Sequence, residues 1–163
     1  METIPENYSI GLVNDINGFD KAKKLIIEYA DSIKIDLCFQ DFETELRELH
    51  IQYQKPYGGL ILVVHVPTDT PVGCVGIRNH EGDIAELKRM YVRPDHRKTG
   101  IGRHLLDHAI GLARELKFKK IRLDTYTFMK AAIKLYRTAG FKEIETYRYN
   151  PGDDVLYFEL DLE

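Results

Sequence analysis

Apolar and polar positions along the chain follow two periods, and the change from one to the other marks out the elements. Residues 8–13 read as a short strand. From residue 16 to about 35, Phe19, Ala22, Ile26, Tyr29 and Ile33 recur at steps of three and four, the period of an amphipathic helix. A second amphipathic helix is predicted from Asp41, which is placed to act as its N-cap, with Phe42, Leu46 and Leu49 on one face. Three strand-like segments follow at 60–66, 72–78 and 84–92. The loop 67–71 holds two prolines and is expected to stay outside the sheet, and 79–83 makes a hairpin turn.

After residue 92 strands alternate with helices. Residues 99–116 carry Ile101, Leu105, Ala109, Leu112 and Leu116 on one helical face. A strand at 120–125 precedes a helix at 129–139, where Ala132, Leu135, Tyr136 and Ala139 share a face and Gly140 stands as the terminal glycine. Residues 141–147 and 155–162 form a last pair of strands around the turn 150–153. No repeat or linker divides the chain. This order predicts a mixed α/β sheet with helices on its faces.

A chain of 163 residues fits one domain spanning 1–163 and suffices to bury a core without staples. Twenty-three basic against 26 acidic side chains leave a net charge of −3, so nucleic acid is not expected as a partner. Two cysteines, Cys38 and Cys74, fit a reducing compartment, and Cys74 reads as a small buried residue. The first fifteen residues lack the basic and apolar blocks of a signal peptide. The longest apolar stretch, 60–66, contains His65 and is too short to span a bilayer. We therefore expect a cytoplasmic protein with no membrane partner.

Candidate chemistry concentrates at Arg97-Lys98-Thr99-Gly100-Ile101-Gly102, between a strand and a long helix. Helix N-termini expose unpaired N–H groups and a partial positive charge that suit phosphate, and glycine lets phosphate and main chain approach closely. Arg97, Lys98 and Arg103 add full charges, although a tight strand-to-helix turn has the same features. A Walker loop is absent, and a dinucleotide fingerprint would need glycine where Leu105 stands, even though Asp124 lies near its downstream distance. His104 and His108 stand four apart but lack the glutamate of a zinc-protease motif, so a solvated helix face and no metal are expected.

The glycine loop resembles the Arg/Gln-x-x-Gly-x-Gly/Ala signature of the GNAT superfamily of N-acetyltransferases. The stretch Ala85-Glu-Leu-Lys-Arg-Met-Tyr-Val-Arg-Pro-Asp-His-Arg-Lys-Thr-Gly-Ile-Gly102 is similar to that family's central strand, loop and phosphate-binding helix start. Ala132-Ile-Lys-Leu-Tyr-Arg-Thr-Ala-Gly-Phe141 is similar to its second motif, in the family's order and at its usual separation. The resemblance implies a central mixed, mostly antiparallel sheet flanked by helices on both faces. It also implies acetyl transfer from acetyl-CoA, without a metal, to the amine of a small molecule, amino acid or peptide by direct attack in a ternary complex.

An alkylammonium of pKa near 10.4 is neutral about once in 2,500 molecules at pH 7, so a base helps. The resemblance points to Glu86 for that role, against a plain reading as a strand carboxylate facing solvent or pairing with Lys88 or Arg122. It points to Tyr136 as the acid that meets the departing thiolate, against a plain core role. The Met90 amide would serve the oxyanion, and main chain at Tyr91 and Val92 would pair with the pantetheine arm as an added strand does. The amides of Lys98, Thr99, Gly100, Ile101, Gly102 and Arg103, beside Arg97, would hold the pyrophosphate. Ala132 and Met129 would line the cofactor, although family members often carry Asn at the latter position. The segment with Tyr147, Tyr149 and Asn150 could line an acceptor pocket or be only a hairpin. A non-catalytic acyl-CoA-binding or sensing module would keep Gly100 and Gly102 and be indifferent to Glu86 and Tyr136. An edge strand such as 155–162 could pair across a homodimer or stay free.

Overall fold

The computed structural model describes residues 2–38 and 41–163. In chain order the elements are β1 (Tyr8–Leu12), α1 (Ile16–Ile33), α2 (Phe42–Arg47), α3 (Leu49–Gln52), β2 (Gly58–His65), β3 (Thr70–Glu81) and β4 (Ile84–Val92). They continue with α4 (Ile101–Glu115), β5 (Lys120–Tyr126), α5 (Lys130–Thr138), β6 (Lys142–Ile144) and β7 (Val155–Asp161). The seven strands form one sheet in the order β1-β2-β3-β4-β5-β7-β6. Each neighbouring pair is antiparallel except β4 with β5. That parallel pair is joined by the crossover helix α4, as parallel strands require.

Each sheet face buries its own cluster. On one, Ile61, Val63, Val75, Ile77, Ala85 and Leu87 pack under Leu105, Ala109 and Leu112 of α4 and Ile133 and Tyr136 of α5. On the other, Leu60, Leu62, Cys74 and Tyr91 meet Ala22, Leu25 and Ile26 of α1, with Leu49 and Tyr53. Each fully buried aliphatic or aromatic side chain contributes roughly 1.5–3 kcal/mol. Gly76 is required by this packing, because a Cβ there would lie 2.5 Å from the Tyr53 ring. Helix α1 starts as a capped helix should, Asp15 accepting from the Gly18 amide at 2.7 Å.

Several expectations are corrected. Asp41 adopts a left-handed backbone (φ 54°) and its side chain makes no cap bond. The helix it precedes breaks at Glu48, and the break lets Glu45 from α2 and Leu49 from α3 both be buried. Pro71 lies inside β3, tolerated because it stands near the strand's start, where a register shift between Val63 and Val64 loosens the ladder. The strand expected over 141–147 shrinks to β6, because the chain then leaves the sheet and carries Tyr147 and Arg148 toward β4. Strand β7 lies between β5 and β6, so it is not an edge available to a second copy; the edges are β1 and β6. His104 is buried rather than solvated, and its carbonyl bonds His108 Nδ1 at 2.8 Å.

Candidate active site

The centre of the sheet opens beyond Glu86. Strand β4 pairs with β5 only at Ile84–Lys120, Ala85–Ile121 and Glu86–Arg122. Past that point β4 stays with β3 as far as Val92, while β5 follows β7 as far as Tyr126. The facing main-chain edges of β4 and β5 thus part, and their polar groups need partners other than each other.

A bulge re-aims β4 at this point. Gly76 stands opposite Lys88 and Cys74 opposite Tyr91, so three steps on β4 match two on β3. The extra residue is accommodated at Arg89, whose backbone is left-handed (φ 58°). Because side chains alternate, one added residue exchanges the faces. Ala85 and Leu87 pack toward α4, and so do Met90 and Val92, while Tyr91 joins the α1 side. Arg89 is over-determined in its strained backbone: Nε and Nη2 donate to Glu45 at 2.8 and 3.0 Å, and the guanidinium lies 5.1 Å from the Phe42 ring centroid.

At the near end of the gap lies the glycine loop. A 3-10 turn, Pro94–His96, is tied down by Thr99 Oγ1 donating to the His96 carbonyl at 2.6 Å and by Tyr8 Oη bonding His96 Nδ1 at 2.8 Å. Lys98 (φ 63°) and Gly100 (φ 89°) are both left-handed, a turn pattern that gathers amides into an anion-binding concavity. Among the described residues, none of the amides at 98–103 has an acceptor within the protein; the first amide of α4 to find one is His104, on Gly100 O. A Cβ on Gly102 would meet nothing closer than Leu135 Cδ2 at 3.7 Å and Met90 Cε at 3.9 Å. This cradle fits the diphosphate of a nucleotide cosubstrate. The charges beside it sit at the surface: Arg103 pairs with Asp107 at 3.0 Å. Arg97 turns back, donating to the Val92 carbonyl at 2.8 Å and covering the Tyr91 ring at 5.8 Å. The Val92 carbonyl, expected to face the pantetheine arm, therefore already has a donor.

Tyr136 is buried in α5, and its hydroxyl reaches Met90 Sδ at 3.7 Å. Burial pushes its phenol well above the ordinary value, so it is a proton holder at neutral pH. Met129 is the residue before α5; its sulfur accepts from Thr125 Oγ1 at 3.4 Å, and Ala132 is partly buried against the core.

Glu86 lies on the opposite face, toward α3, and is almost wholly buried. It accepts from Tyr147 Oη at 2.8 Å, from Arg148 Nη1 at 3.0 and 2.9 Å and from Arg78 Nη2 at 3.4 Å, with Lys88 Nζ at 3.7 Å. Arg122 instead serves Glu159 at 2.8 Å. Burial alone would raise the Glu86 carboxyl, but Lys88, Arg148 and Arg78, with the Tyr147 hydrogen bond, draw it down to about 2. Burial lowers the Lys88 ammonium to about 7, against the pull of Glu86. Arg78, Glu86 and Arg148, with Gln52, Tyr57 and His80, line a cleft of about 650 Å³. Asn150 Nδ2 donates to Asp124 at 3.0 Å, and of the 147–150 segment Arg148 and Tyr149 line the cleft.

Sequence reasoning singled out neither Glu45, Arg78 nor Arg148. The available signal was the run Glu86-Leu-Lys-Arg89, three charges in the middle of a buried strand, which demanded buried partners from elsewhere.

Comparison with known proteins completes this picture. The model of the acetyltransferase (GNAT) family matches residues 27–141. An uncharacterized N-acetyltransferase of Schizosaccharomyces pombe is 34% identical over 97% of both chains. The fold is that of a GNAT-family acetyltransferase from Staphylococcus aureus, with a TM-score of 0.78 at 22% identity over 95% of this chain and 100% of that one. A Salmonella typhimurium structure that holds its cofactor acetyl-CoA superposes with a TM-score of 0.68 at 17% identity, covering 97% of this chain and 95% of its own.

Proposed function

This chain belongs to the acetyltransferase (GNAT) family and is an acyltransferase, and from that premise we propose that it carries the acetyl group of acetyl-CoA to a primary amine. The observation that carries the reading is the gap between β4 and β5. It has a cradle of unpartnered amides at one end and the Tyr136 hydroxyl beside Met90 within it. In this reading the amides at 98–103 hold the diphosphate of the bound cosubstrate, and the thioester lies along β4 near Met90. The amine attacks the thioester carbon, the Met90 amide steadies the oxyanion, and the C–S bond breaks as Tyr136 hands its hydrogen bond to the leaving sulfur.

The role of Glu86 changes in this reading. A carboxyl held at about 2 is a poor direct proton acceptor from an ammonium near 10.4: the transfer climbs about 8 pH units, roughly 11 kcal/mol. We assign Glu86 instead as the fixed anion that gathers Arg78, Lys88, Tyr147 and Arg148.

The test is Tyr136→Phe, which removes one oxygen from a site that remains filled. Acetyl-CoA affinity should stay within about twofold while kcat falls on the order of a hundredfold, the usual worth of a positioned acid. Unchanged turnover across a broad amine panel would remove Tyr136 from the reaction. Tight acetyl-CoA binding with no thiol release against any amine would favour a non-catalytic acyl-CoA-binding module.

A further inference from the structure

The acceptor side of the gap carries more positive than negative charge. Four basic side chains, Arg78, Lys88, Arg89 and Arg148, are joined by ion pairs to two carboxylates, Glu45 and Glu86. A third carboxylate, Asp124, is bonded to the neutral Asn150 and acts on Lys88 and Arg148 through space. Four cations against three anions leave one positive charge in excess. Buried charge without a counterion is costly, so the surplus either sheds a proton or waits for an anion.

The surplus is placed where a ligand could meet it. Glu45, Glu86, Lys88 and Arg89 keep only 1–4% of their side-chain surface, while Arg78 and Arg148 keep 20% and 18%. These two guanidinium groups line the 650 Å³ cleft. Arg148 spends only Nη1, on Glu86; among the described residues its Nε and Nη2 donate to nothing. That free edge has the two parallel N–H bonds that match a carboxylate.

We propose that the acceptor is a small amino acid, an amine that brings its own carboxylate, and that Arg148, backed by Arg78, receives that carboxylate in the cleft. The proposal rests on the acetyl-transfer reading above and deepens it. One surplus charge calls for a single negative charge, which a carboxylate supplies and a doubly charged phosphate or phosphonate exceeds. Glu86 becomes the positioning residue that aims Arg148, and Tyr147 fixes Glu86 from the other side.

The experiment compares matched acceptors on the full chain with a thiol-release readout. Each amino acid is run beside its amide, its decarboxylated amine and its aminophosphonate analogue. The amino acid should exceed the other three by about ten- to a hundredfold in kcat/KM, the worth of one charge-assisted pair. Arg148→Gln should bring the amino acid to amide ratio close to one, with acetyl-CoA still raising the melting temperature as proof of fold. Equal rates for amino acid and amide, or a preference for the phosphonate, would overturn the carboxylate site while leaving acetyl transfer standing. So would a protein that binds acetyl-CoA but acetylates none of them. Failure to bind acetyl-CoA at all would instead strike the acetyl-transfer reading itself.

Discussion

The two ends of the gap between β4 and β5 are built in opposite ways. At the loop end the working groups are main-chain amides, freed by two left-handed residues and the start of α4. The side chains there, Lys98 and Arg103, lie at the surface. At the acceptor end the main chain recedes and six buried or half-buried ionic side chains come together from α2, β3, β4 and the loop after β6. A site made of backbone is fixed by local geometry and tolerates exchange of its side chains. A site made of charges is fixed by mutual compensation, and loss of one member leaves the others unpaired.

The largest effect expected from that contrast falls on Glu45. Its carboxylate holds Arg89 through two bonds in a nearly dry setting, so Glu45→Gln leaves a buried cation without its anion. A loss of about 3–5 kcal/mol is expected in denaturant melts. Arg89 occupies the bulge that turns Met90 toward α5, so weaker acetyl-CoA binding should accompany the loss although Glu45 lies on the other face. Arg103→Ala at the loop end removes only an exposed pair with Asp107 and should change stability by less than about 1 kcal/mol. Comparable losses in both variants would erase the distinction between the two ends.

A smaller effect is expected from pH. Glu86 has its folded-state value drawn from 4.5 down to about 2. Its contribution is therefore complete above about 4.5 and is lost as pH falls toward 2, a change of about 3 kcal/mol in the denaturant midpoint series. Lys88 behaves in the opposite sense. Its folded value of about 7 lies below that of the unfolded chain, so the unfolded state binds more protons from about 7 up to its own value near 10.4, and stability rises with pH across that window. Glu86→Gln should flatten the acid limb. An acid limb of the same slope in that variant would show that Glu86 is not the group holding the cluster together.

The same contrast explains what could be read in the sequence. The Gly100-Ile-Gly102 spacing, the strand before it and the Leu-Tyr-x-x-x-Gly-Phe string are local demands of backbone geometry, so contiguous residues display them. Helix α4, strands β2 to β5 and the two core faces follow from periodicity for the same reason. The charge cluster is a tertiary property. Glu45 and Arg89 are 44 positions apart, and Glu86 and Arg148 are 62 apart, so no window of sequence contains either pair. The last two strands pair with each other as their pattern predicts, but the first is shorter than 141–147, because the chain after β6 is drawn out of the sheet by the bonds of Tyr147 and Arg148 to Glu86. The helix predicted from Asp41 forms but breaks into α2 and α3, and it buries Glu45, a surface residue by composition, as a counterion of Arg89.

The smallest expected change in stability gives the sharpest separation of the two ends. Gly102 is in the first turn of α4, and alanine there meets no atom of the protein closer than 3.7 Å. Replacing glycine by alanine in a helix is worth about 0.5–1 kcal/mol, so Gly102→Ala should raise the melting temperature by about 2 °C. The added methyl leaves the unpartnered amides in place, and the signature that this loop resembles accepts alanine at this position. Acetyl-CoA affinity should therefore stay within about twofold, because every amide that faces the diphosphate is kept. A more stable protein with an unchanged nucleotide grip is the signature of a site made of main chain, because the substitution removes neither an amide nor a contact within the fold. A loss of about tenfold or more in acetyl-CoA affinity, with acetyl-pantetheine, which lacks the diphosphate, unaffected, would show instead that the cradle needs bare glycine at 102 and does not tolerate exchange of its side chains.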